Sequence, residues 1–155
     1  MVDRLTPDQR RLNMSRVRAK NTGPEMTVRT LLHAMGFRFR LHRRDLPGRP
    51  DIVLPRYRTA IFVHGCFWHG HGCSLFRMPA TRTEFWSAKI EANRCRDEAA
   101  VAGLQDVGWR SLWIWECALR GRGRLTQRVL TDRIAGFVTG DAAFAAIGEI
   151  GAGAS

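Results

Sequence analysis

Apolar and polar residues recur with two different periods along this chain, and the period predicts the local structure. Between Thr22 and Gly36 the apolar residues recur at helical spacing. Thr22 can cap the start of that helix, and Gly36 follows its last turn. The apolar stripe consists of Met26, Val28, Leu31, Leu32 and Met35. Residues 37–42, Phe-Arg-Phe-Arg-Leu-His, alternate instead with a period of two, which predicts a half-exposed strand.

The rest of the chain continues as short strands and longer helices. The predicted elements are a strand from Asp51 to Leu54, a tight turn from Pro55 to Arg58, a central strand from Thr59 to Val63, a long helix capped by Thr83 and ending before Gly108, a buried strand from Arg110 to Trp115, and an amphipathic helix over about Leu125–Val138. The long helix is a crossover, so we expect the last strand to lie parallel to the central strand through a right-handed connection. This order of helix, three-strand meander, crossover helix and parallel strand predicts an α/β fold.

The length and the composition predict one domain with two less ordered ends. The 155 residues are enough for one core, which we assign to residues 21–139. Residues 1–20 form a basic arm that we expect to become ordered on contact with a partner, and the Ala/Gly-rich residues 140–155 are expected to form a flexible tail. The N-terminus lacks the apolar run of a signal peptide, and no stretch approaches the ~20 apolar residues of a membrane span. We therefore expect a protein of the reducing cytoplasm, whose four cysteines are metal ligands and a free thiol rather than two disulfides.

The charge balance narrows the choice of partner. Lysine and arginine number 25 against 14 acidic residues, a formal charge of +11. The basic residues are spread along the whole length, as a surface facing a polyanion requires. The alternative is plain solubilising charge, which natural domains usually reach with mixed signs. The distribution favours a nucleic-acid-binding protein.

Residues 64–73, His-Gly-Cys-Phe-Trp-His-Gly-His-Gly-Cys, contain two thiols and three imidazoles in one short loop. Zinc binds Cys and His tetrahedrally, and Cys66, His71 and Cys73 offer three ligands within eight residues. Cys95 and Cys117 compete for the fourth position. Cys117 is favoured because it follows a strand end beside the loop, whereas Cys95 lies inside the long helix and reads as a small buried residue. Four protein ligands predict a structural zinc site without an open position.

An acidic residue opens the strand before this loop. Pro50-Asp51 begins the second strand, and the fold brings Asp51 within reach of Glu25 and of the end of the central strand. The arrangement resembles the core of the restriction-endonuclease-like nucleases, in which Pro-Asp is followed by an acid-x-lysine pair on the next strand. Here Val63, His64 and Gly65 occupy the place of that pair, so other groups must replace it.

Four motifs together identify a narrower family. They are Pro-Gly-Arg-Pro-Asp at 47–51, His-Gly-Cys-Phe-Trp-His at 64–69, Pro-Ala-Thr-Arg-Thr-Glu-Phe-Trp at 79–86 and Trp-Glu-Cys-Ala-Leu at 115–119. From about Met14 to Arg120 the chain resembles the very-short-patch-repair (Vsr) mismatch endonucleases. The resemblance implies a magnesium-dependent nick on the 5′ side of the thymine in a T:G mismatch, which arises when 5-methylcytosine deaminates. It also implies a companion cytosine-C5 methyltransferase and a functional link to mismatch-repair proteins.

The resemblance also implies roles for individual residues in the chemistry. Asp51 and the backbone carbonyl of Val63 would hold Mg²⁺, which prefers oxygen ligands. His69 corresponds to the general base, and His64 to its partner at the scissile phosphate. Glu25 fits an outer-shell role near the metal, although it could also be an ordinary first-turn acid favoured by the helix dipole. The Trp-Glu-Cys motif places the fourth zinc ligand at Cys117.

A second group of residues is implied in finding the mismatch. Phe67, Trp68 and Trp86 correspond to a wedge of aromatic rings pushed between base pairs. The base-reading positions of the family fall on Lys89 and Asn93, and Met14 corresponds to an arm residue on the minor-groove side. Ordinary packing is the alternative for Trp86, as plain solvation is for Lys89 and Asn93.

Other functions remain open at this stage. A zinc-stabilised DNA-binding module without catalysis would have no use for Asp51 and His69. A His-metal finger nuclease would need an Asn and second-strand His pattern that is not evident. A structure-selective or restriction-type nuclease on the same fold is the nearest alternative. A nick on one strand needs one active site, so a monomer suffices.

Overall fold

The computed structural model describes residues 22–149 as a mixed α/β domain around one five-stranded sheet. The strands are β1 Arg40–Leu41, β2 Ile52–Leu54, β3 Thr59–His64, β4 Arg110–Trp115 and β5 Phe144–Ile147. The helices are α1 Gly23–Ala34, α2 Thr83–Asp106, α3 Glu116–Leu119 and α4 Gln127–Thr139. Across the described range, every helix is too short or too polar to cross a membrane.

The strands lie in the order of the sequence, β1-β2-β3-β4-β5. The first three form an antiparallel meander, in which Ile52 pairs with Ile61. Strand β4 then pairs parallel to β3, from Thr59 opposite Arg110 to His64 opposite Trp115. Because parallel neighbours need a long crossover, the 24-residue helix α2 connects these two strands, and the predicted parallel pairing is confirmed.

The sheet has a core on each face, because successive strand residues point to opposite sides. Ile61 of β3 packs with Leu32 of α1 and Ile134 of α4 in the larger cluster. Its neighbour Phe62 packs on the other face with Leu104 of α2. Strand β3 is therefore buried on both faces, which explains why its sequence is a continuous apolar run.

The two caps predicted from sequence have different outcomes. Thr22 does cap α1, since its side-chain oxygen accepts a hydrogen bond from the amide of Glu25. Thr83 is the first residue of α2 and not its cap, because its hydroxyl donates to the carbonyl of Pro79. The residue before it, Arg82, has left-handed φ of 56° and makes no capping bond from its side chain. The apolar stripe of α1 also stops short of Met26, which is 45% exposed.

The first strand is shorter than its alternating pattern predicts. Only Arg40 and Leu41 pair with β2, whereas the pattern covers residues 37–42. Phe37 and Phe39 pack against the larger core cluster outside the ladder. His42 ends the strand with a positive φ of 48°.

The prediction of a flexible tail from residue 140 is wrong for residues 144–147, which form strand β5 parallel to β4. The ring of Phe144 packs edge-on against Trp113 at 4.9 Å between centroids, and Ile147 is buried. The small residues between them hid this strand in the sequence. Pairing with β5 covers an edge of β4 that would otherwise be open, which explains why the segment is ordered.

Candidate functional site: an acidic cleft beside a Cys/His corner

An open cleft of about 470 Å³ lies where β2 begins and β3 ends, with α2 as one wall. The antiparallel register puts Asp51, just before β2, next to Val63 near the end of β3. The cleft is lined by Gly48, Arg49, Asp51, Phe62, Val63, His64, His69, Asn93, Arg96, Asp97 and Ala100. It therefore combines carboxylates, imidazoles and guanidinium groups, which can hold a cation, transfer a proton and bind a phosphate.

Asp51 is held at the centre of this cleft by the backbone. Its Oδ2 accepts a hydrogen bond of 2.8 Å from the amide of Val63. Burial raises the pKa of Asp51 to about 6, with the Val63 amide acting in the opposite direction and Glu25 adding to the rise. A buried carboxylate that carries a charge at neutral pH is stabilised by a cation, so Asp51 has the environment of a metal ligand. The contact between Asp51 and Val63 is made by the amide of Val63 and not by its carbonyl.

Glu25 and His42 complete the group around Asp51. Glu25 is only 2% exposed, and it forms an ion pair with Arg29 one turn along α1. Nε2 of His42 lies 3.2 Å from Oε1 and 3.1 Å from Oε2 of Glu25. One donor atom from each of Glu25, His42 and Asp51 lies within 4.8 Å of the others, so these three residues could hold a metal ion.

His64, His69 and Asp97 form a second group in the same cleft. Nδ1 of His69 donates to Oδ2 of Asp97 on α2, at 2.5 Å. The rings of His64 and His69 lie 4.1 Å apart between centroids. His64 is buried, and its Nε2 has no hydrogen-bond partner among residues 22–149. Burial lowers the pKa of His64 well below its usual value, and the neighbouring His69 adds to the effect, so this ring is neutral at pH 7.

A second site, the Cys/His corner, lies behind the same loop and consists of Cys66, His71, Cys73 and Cys117, whose donor atoms all lie within 4.8 Å of one another. Nδ1 of His71 is 3.7 Å from Sγ of Cys66 and 3.5 Å from Sγ of Cys117. The structure brings Cys117 to this corner because it is the second residue of α3, which starts where β4 ends. The hydrogen bond between the two sulfurs raises the pKa of Cys66 and lowers that of Cys117, as expected for thiols that share a proton.

Neighbouring residues hold the donor atoms of the corner in place. The ring of Trp115 stacks on His71, with centroids 4.0 Å apart and planes 6° apart. The amide of Glu149 donates to Sγ of Cys117 at 3.3 Å. The carboxylate of Glu149 accepts from the amide and the hydroxyl of Ser74, at 2.8 and 2.5 Å. The chain just after β5 therefore closes over the loop that carries three of the four donors.

The aromatic rings of the loop form a half-buried cluster with α2. Phe67 packs edge-on against Trp68 at 5.1 Å and against Trp86 at 5.4 Å between centroids. Phe85 beside them is 43% exposed. A contiguous aromatic surface of this kind can take part in binding, since it is neither core nor scattered over the surface.

The two polar residues singled out on α2 lie against the same loop. The side-chain amide of Asn93 donates to the backbone carbonyl of Trp68 at 2.7 Å, and its oxygen accepts from Arg96. The ammonium group of Lys89 is exposed and lies 5.7 Å from the centre of the Trp68 ring. In this structure Asn93 is half-buried and holds the loop, whereas Lys89 is exposed.

The two remaining predictions concern Cys95 and Met14. Cys95 is exposed and does not approach the Cys/His corner, so its interpretation as a small buried residue is wrong. It lies on the solvent side of α2, where its thiol is 3.9 Å from a carboxylate oxygen of Glu91. Met14 lies outside the described residues.

Sequence reasoning missed three residues of these sites. Asp97 could have been found, because it follows Asn93 by one helical turn and shares its face of α2. His42 was hidden at the end of an alternating basic strand. Glu149 lies in the segment that was predicted to be flexible. Each is placed by a tertiary contact that its local sequence pattern does not show.

A mixed α/β fold with a carboxylate and imidazole cleft is typical of metal-dependent nucleases. The family model of the DNA mismatch endonuclease Vsr matches residues 2–75. The DNA mismatch endonuclease Vsr of Escherichia coli (strain K12) is 48% identical over 147 residues, 95% of this chain and 94% of that protein. The chain therefore belongs to the Vsr family of DNA mismatch endonucleases.

Two further relatives carry the name of nicking enzymes. Type II nicking enzyme V.XorIIP of Xanthomonas oryzae pv. oryzae is 56% identical over 129 residues, 83% of this chain and 95% of that protein. Type II nicking enzyme V.NmeAIP of Neisseria meningitidis serogroup A is 38% identical over 129 residues, 83% of this chain and 92% of that protein. The names of these relatives support a nuclease function for this chain.

Proposed function

We propose that this protein is a Mg²⁺-dependent endonuclease that nicks DNA on the 5′ side of the thymine in a T:G mismatch left by deamination of 5-methylcytosine. The observation that carries the proposal is the cleft in which Asp51, His64, His69 and Asp97 meet beside the aromatic rings of the loop. We assign its sheet and crossover helix to the restriction-endonuclease-like class, in which the usual acid-x-lysine pair is here replaced by imidazoles.

His69 acts as the general base. Its Nδ1–H donates to Asp97, which fixes the tautomer and leaves Nε2 as the basic atom. The carboxylate of Asp97 also stabilises the imidazolium that forms when His69 takes a proton from the attacking water. A positioned base of this kind typically contributes ~10²–10⁴-fold to the rate. Asp97 thus serves as the positioning residue for His69.

His64 binds the scissile phosphate as a neutral ring. Its Nε2 is buried and without a partner among residues 22–149, and its ring lines the cleft next to His69. A buried polar nitrogen without a partner costs free energy, so a substrate oxygen that pairs with it gains binding. This nitrogen takes over the contact that a lysine would make in other nucleases of this fold.

The donor set around Asp51 fits a divalent cation, because carboxylate and backbone oxygens are ligands that Mg²⁺ accepts, and the half-buried Asp51 lies beside Val63. Asp51 and the backbone carbonyl of Val63 would hold the ion, and Glu25 would support it from the outer shell. When bound, the ion neutralises charge that develops on the phosphate in the transition state. Arg49 and Arg96 line the cleft and attract the DNA backbone.

We propose that Cys66, His71, Cys73 and Cys117 hold a structural Zn²⁺. In a tetrahedral site with Zn–S of about 2.3 Å and Zn–N of about 2.0 Å, sulfur and nitrogen lie roughly 3.5 Å apart. The distances from His71 to Cys66 and Cys117, 3.7 and 3.5 Å, fit this value. With four protein ligands the ion has no open position, so its role is to shape the loop that carries His69 and the aromatic rings.

The mismatch is found by a wedge made of Phe67, Trp68 and Trp86. Their half-buried rings contact one another between the loop and α2 and can stack on bases exposed by an opened step. Lys89 is placed to reach a base edge or a phosphate, whereas Asn93 would have to release the Trp68 carbonyl before it could read a base. Met14 would approach from the minor groove. We further propose that the protein acts as a monomer in the cytoplasm, alongside a cytosine-C5 methyltransferase and mismatch-repair proteins.

The direct test uses duplexes that differ at one base pair. Nicking is measured on a T:G duplex, on the matched T:A and C:G duplexes and on the single strand, each with and without Mg²⁺. We expect one nick, on the 5′ side of the mismatched thymine, only with Mg²⁺. Asp51→Asn should bind the T:G duplex but fail to nick it, because it keeps the shape of the side chain and removes its charge.

The same assay distinguishes the nearest alternatives. Equal cutting of matched and mismatched duplexes would indicate a restriction-type nuclease, and cutting that follows branched or flapped substrates would indicate a structure-selective one. Binding to DNA without cutting under every metal condition would indicate a non-catalytic module. Any of these outcomes would overturn the proposal.

A further inference from the structure

We propose that His42 supplies a nitrogen ligand to the divalent cation of the cleft, so that this site binds Mn²⁺ more tightly than Mg²⁺. This inference rests on the proposed function, because it concerns the cation that Asp51 holds. It adds a ligand, and with it a metal preference, to a site otherwise made of oxygen atoms.

His42 pairs with Glu25 and lies close to Asp51, so its imidazole stands beside the carboxylates of the cleft. Nε2 of His42 lies 3.1 and 3.2 Å from the two carboxylate oxygens of Glu25. The donor atoms of Glu25, His42 and Asp51 are all within 4.8 Å of one another. Atoms on opposite sides of an ion with bonds of roughly 2.1–2.4 Å lie roughly 4–5 Å apart, so an ion on Asp51 can also contact Nε2 of His42, while Glu25 supports it from the outer shell.

The backbone holds the three donors in place from three different elements. The amide of His42 donates to the backbone carbonyl of Asp51 at 3.0 Å, which continues the pairing of β1 with β2. Glu25 lies buried in the first turn of α1. His42 has φ of 48°, a conformation that is costly for a residue with a side chain, so this position keeps its imidazole at the expense of backbone strain.

The charge of the site also favours a nitrogen ligand. Arg29 forms an ion pair with Glu25 and lies 3.5 Å from Nε2 of His42. Its guanidinium offsets one of the two carboxylate charges of Glu25 and Asp51. A site with little net negative charge attracts a hard cation weakly, and an imidazole nitrogen adds a ligand without adding charge.

The chemistry of that nitrogen sets the metal preference. Mg²⁺ strongly prefers oxygen ligands and loses its water reluctantly. Mn²⁺ accepts carboxylate oxygens as Mg²⁺ does, and as a softer first-row transition-metal ion it tolerates an imidazole nitrogen better than Mg²⁺. With two carboxylates and one imidazole, the site accepts both ions and favours Mn²⁺.

Ion binding tests this without any DNA. Mn²⁺ is titrated into the zinc-loaded full chain, free Mn²⁺ is followed by electron paramagnetic resonance, and Mg²⁺ is added as a competitor. We expect tighter binding of Mn²⁺, and His42→Gln should weaken Mn²⁺ binding by about tenfold or more while changing Mg²⁺ binding much less. His33→Gln, an exposed histidine in the last turn of α1, is the matched control and should bind both ions as the wild type does. Asp51→Asn should lose both ions, which verifies that the titrated ion lies in the cleft.

A second measurement does not depend on how His42 variants fold. Pulsed resonance on bound Mn²⁺ should show coupling to a histidine ¹⁴N, which should persist in His69→Ala and in His64→Ala. Wild-type Mn²⁺ affinity in a folded His42→Gln, or no nitrogen coupling in the wild type, would overturn the proposal. Nicking of T:G duplex with each ion separates the two claims. Wild-type nicking with an unchanged Mn²⁺ to Mg²⁺ ratio in His42→Gln rejects only the ligand, whereas no T:G nicking with either ion rejects the proposed function.

Discussion

The Cys/His corner and the acidic cleft draw on the same ten residues, 64–73, yet they have opposite characters. His64 and His69 of this loop face the cleft, whereas Cys66, His71 and Cys73 face the corner. The thiols of Cys66 and Cys117 are fully buried, while the side chain of His69 is 21% exposed. A closed set of soft ligands suits a permanent ion, and an open set of carboxylates and imidazoles suits an exchangeable ion and a substrate.

The two regions share one wall, the indole of Trp115. Its ring stacks on His71 at 4.0 Å on the corner side, and its centroid lies 5.1 Å from that of His64 on the cleft side. The proposed roles differ accordingly: the corner would shape the cleft without taking part in its chemistry. Damage to the corner should therefore abolish folding and activity together, whereas damage to the cleft should leave a folded protein.

The largest effect is expected from the corner. Cys117→Ser should lose the zinc and unfold the loop or the whole domain, because structural zinc supplies ~10–16 kcal/mol of apparent binding free energy. Cys95→Ser is the matched control, since Cys95 is exposed and far from the corner, and it should keep its zinc and fold. Elemental analysis and circular dichroism measure both. If Cys117→Ser still bound one zinc per chain, the proposed zinc site at the corner would be wrong.

Within the cleft, the base and its positioning residue should act as one unit. His69→Ala should slow nicking by ~10²–10⁴-fold while the protein stays folded and binds DNA. Asp97→Asn should slow it less, because the ring keeps a neighbour but loses the charge that stabilises its imidazolium. The double variant should be no slower than His69→Ala, since the two residues share one function. Single-turnover rates test this, and fully additive losses would mean that Asp97 acts independently.

The aromatic rings should affect recognition more than chemistry. Phe67→Ala and Trp68→Ala should each weaken binding to T:G duplex by ~10–100-fold, because base–aromatic stacking contributes ~1–3 kcal/mol per base. Binding to matched duplex should change much less. Phe85→Ala removes an exposed ring on α2, outside the proposed wedge, and should change binding to both duplexes equally. Competition binding at one fixed salt concentration is the measurement, and an equal loss on both duplexes would rule out the wedge.

The smallest effect concerns the free energy of unfolding. Burial raises the pKa of Asp51 from 3.8 to about 6, so the folded protein binds this proton more tightly than the unfolded chain. The resulting stabilisation is complete below about pH 4 and is lost as the pH rises through about 6. Asp51→Asn has no carboxyl group to ionise and so keeps its stability as the pH rises. The pKa shift of Asp51 corresponds to at most roughly 3 kcal/mol of unfolding free energy. The free energy of unfolding is measured in urea on zinc-loaded protein without Mg²⁺. Between pH 5 and pH 8, the value for Asp51→Asn should rise relative to that of the wild type. If the free energy of unfolding of the variant instead fell relative to the wild type over that range, the charge of Asp51 would not destabilise the folded protein.

The parts of the fold that were predictable are those in which burial alone sets the sequence. Strand β4 was predicted to the residue because Arg110–Trp115 is a buried apolar run, and its parallel pairing followed from the crossover helix. Strand β5 was missed because its alanines carry little pattern, and its place depends on the open edge of β4. The pairing of β5 with β4 is a tertiary contact between distant segments, which the local sequence does not show.

The residues of the candidate site also fall into two groups, those predicted from the sequence and those seen only in the structure. The residues of the 64–73 loop and Asp51 were visible because thiols, imidazoles and a strand-opening acid are uncommon in a short stretch. Asp97 and His42 were not, because a charged residue on a long polar helix and a histidine in a basic strand look like ordinary surface. Only the fold brings the first within 2.5 Å of His69 and the second within 3.1 Å of Glu25.

The division of labour between the corner and the cleft is tested most directly by removing one ion at a time. Zinc-loaded protein is treated with EDTA under conditions that leave one zinc per chain, and it is then mixed with T:G duplex labelled at a 5′ end. We predict no nick until Mg²⁺ is added, and then a single nick on the 5′ side of the mismatched thymine with the zinc content unchanged. Nicking that continues in EDTA, or that starts only when zinc itself is replaced, would contradict the account, because the chemistry would then belong to the corner.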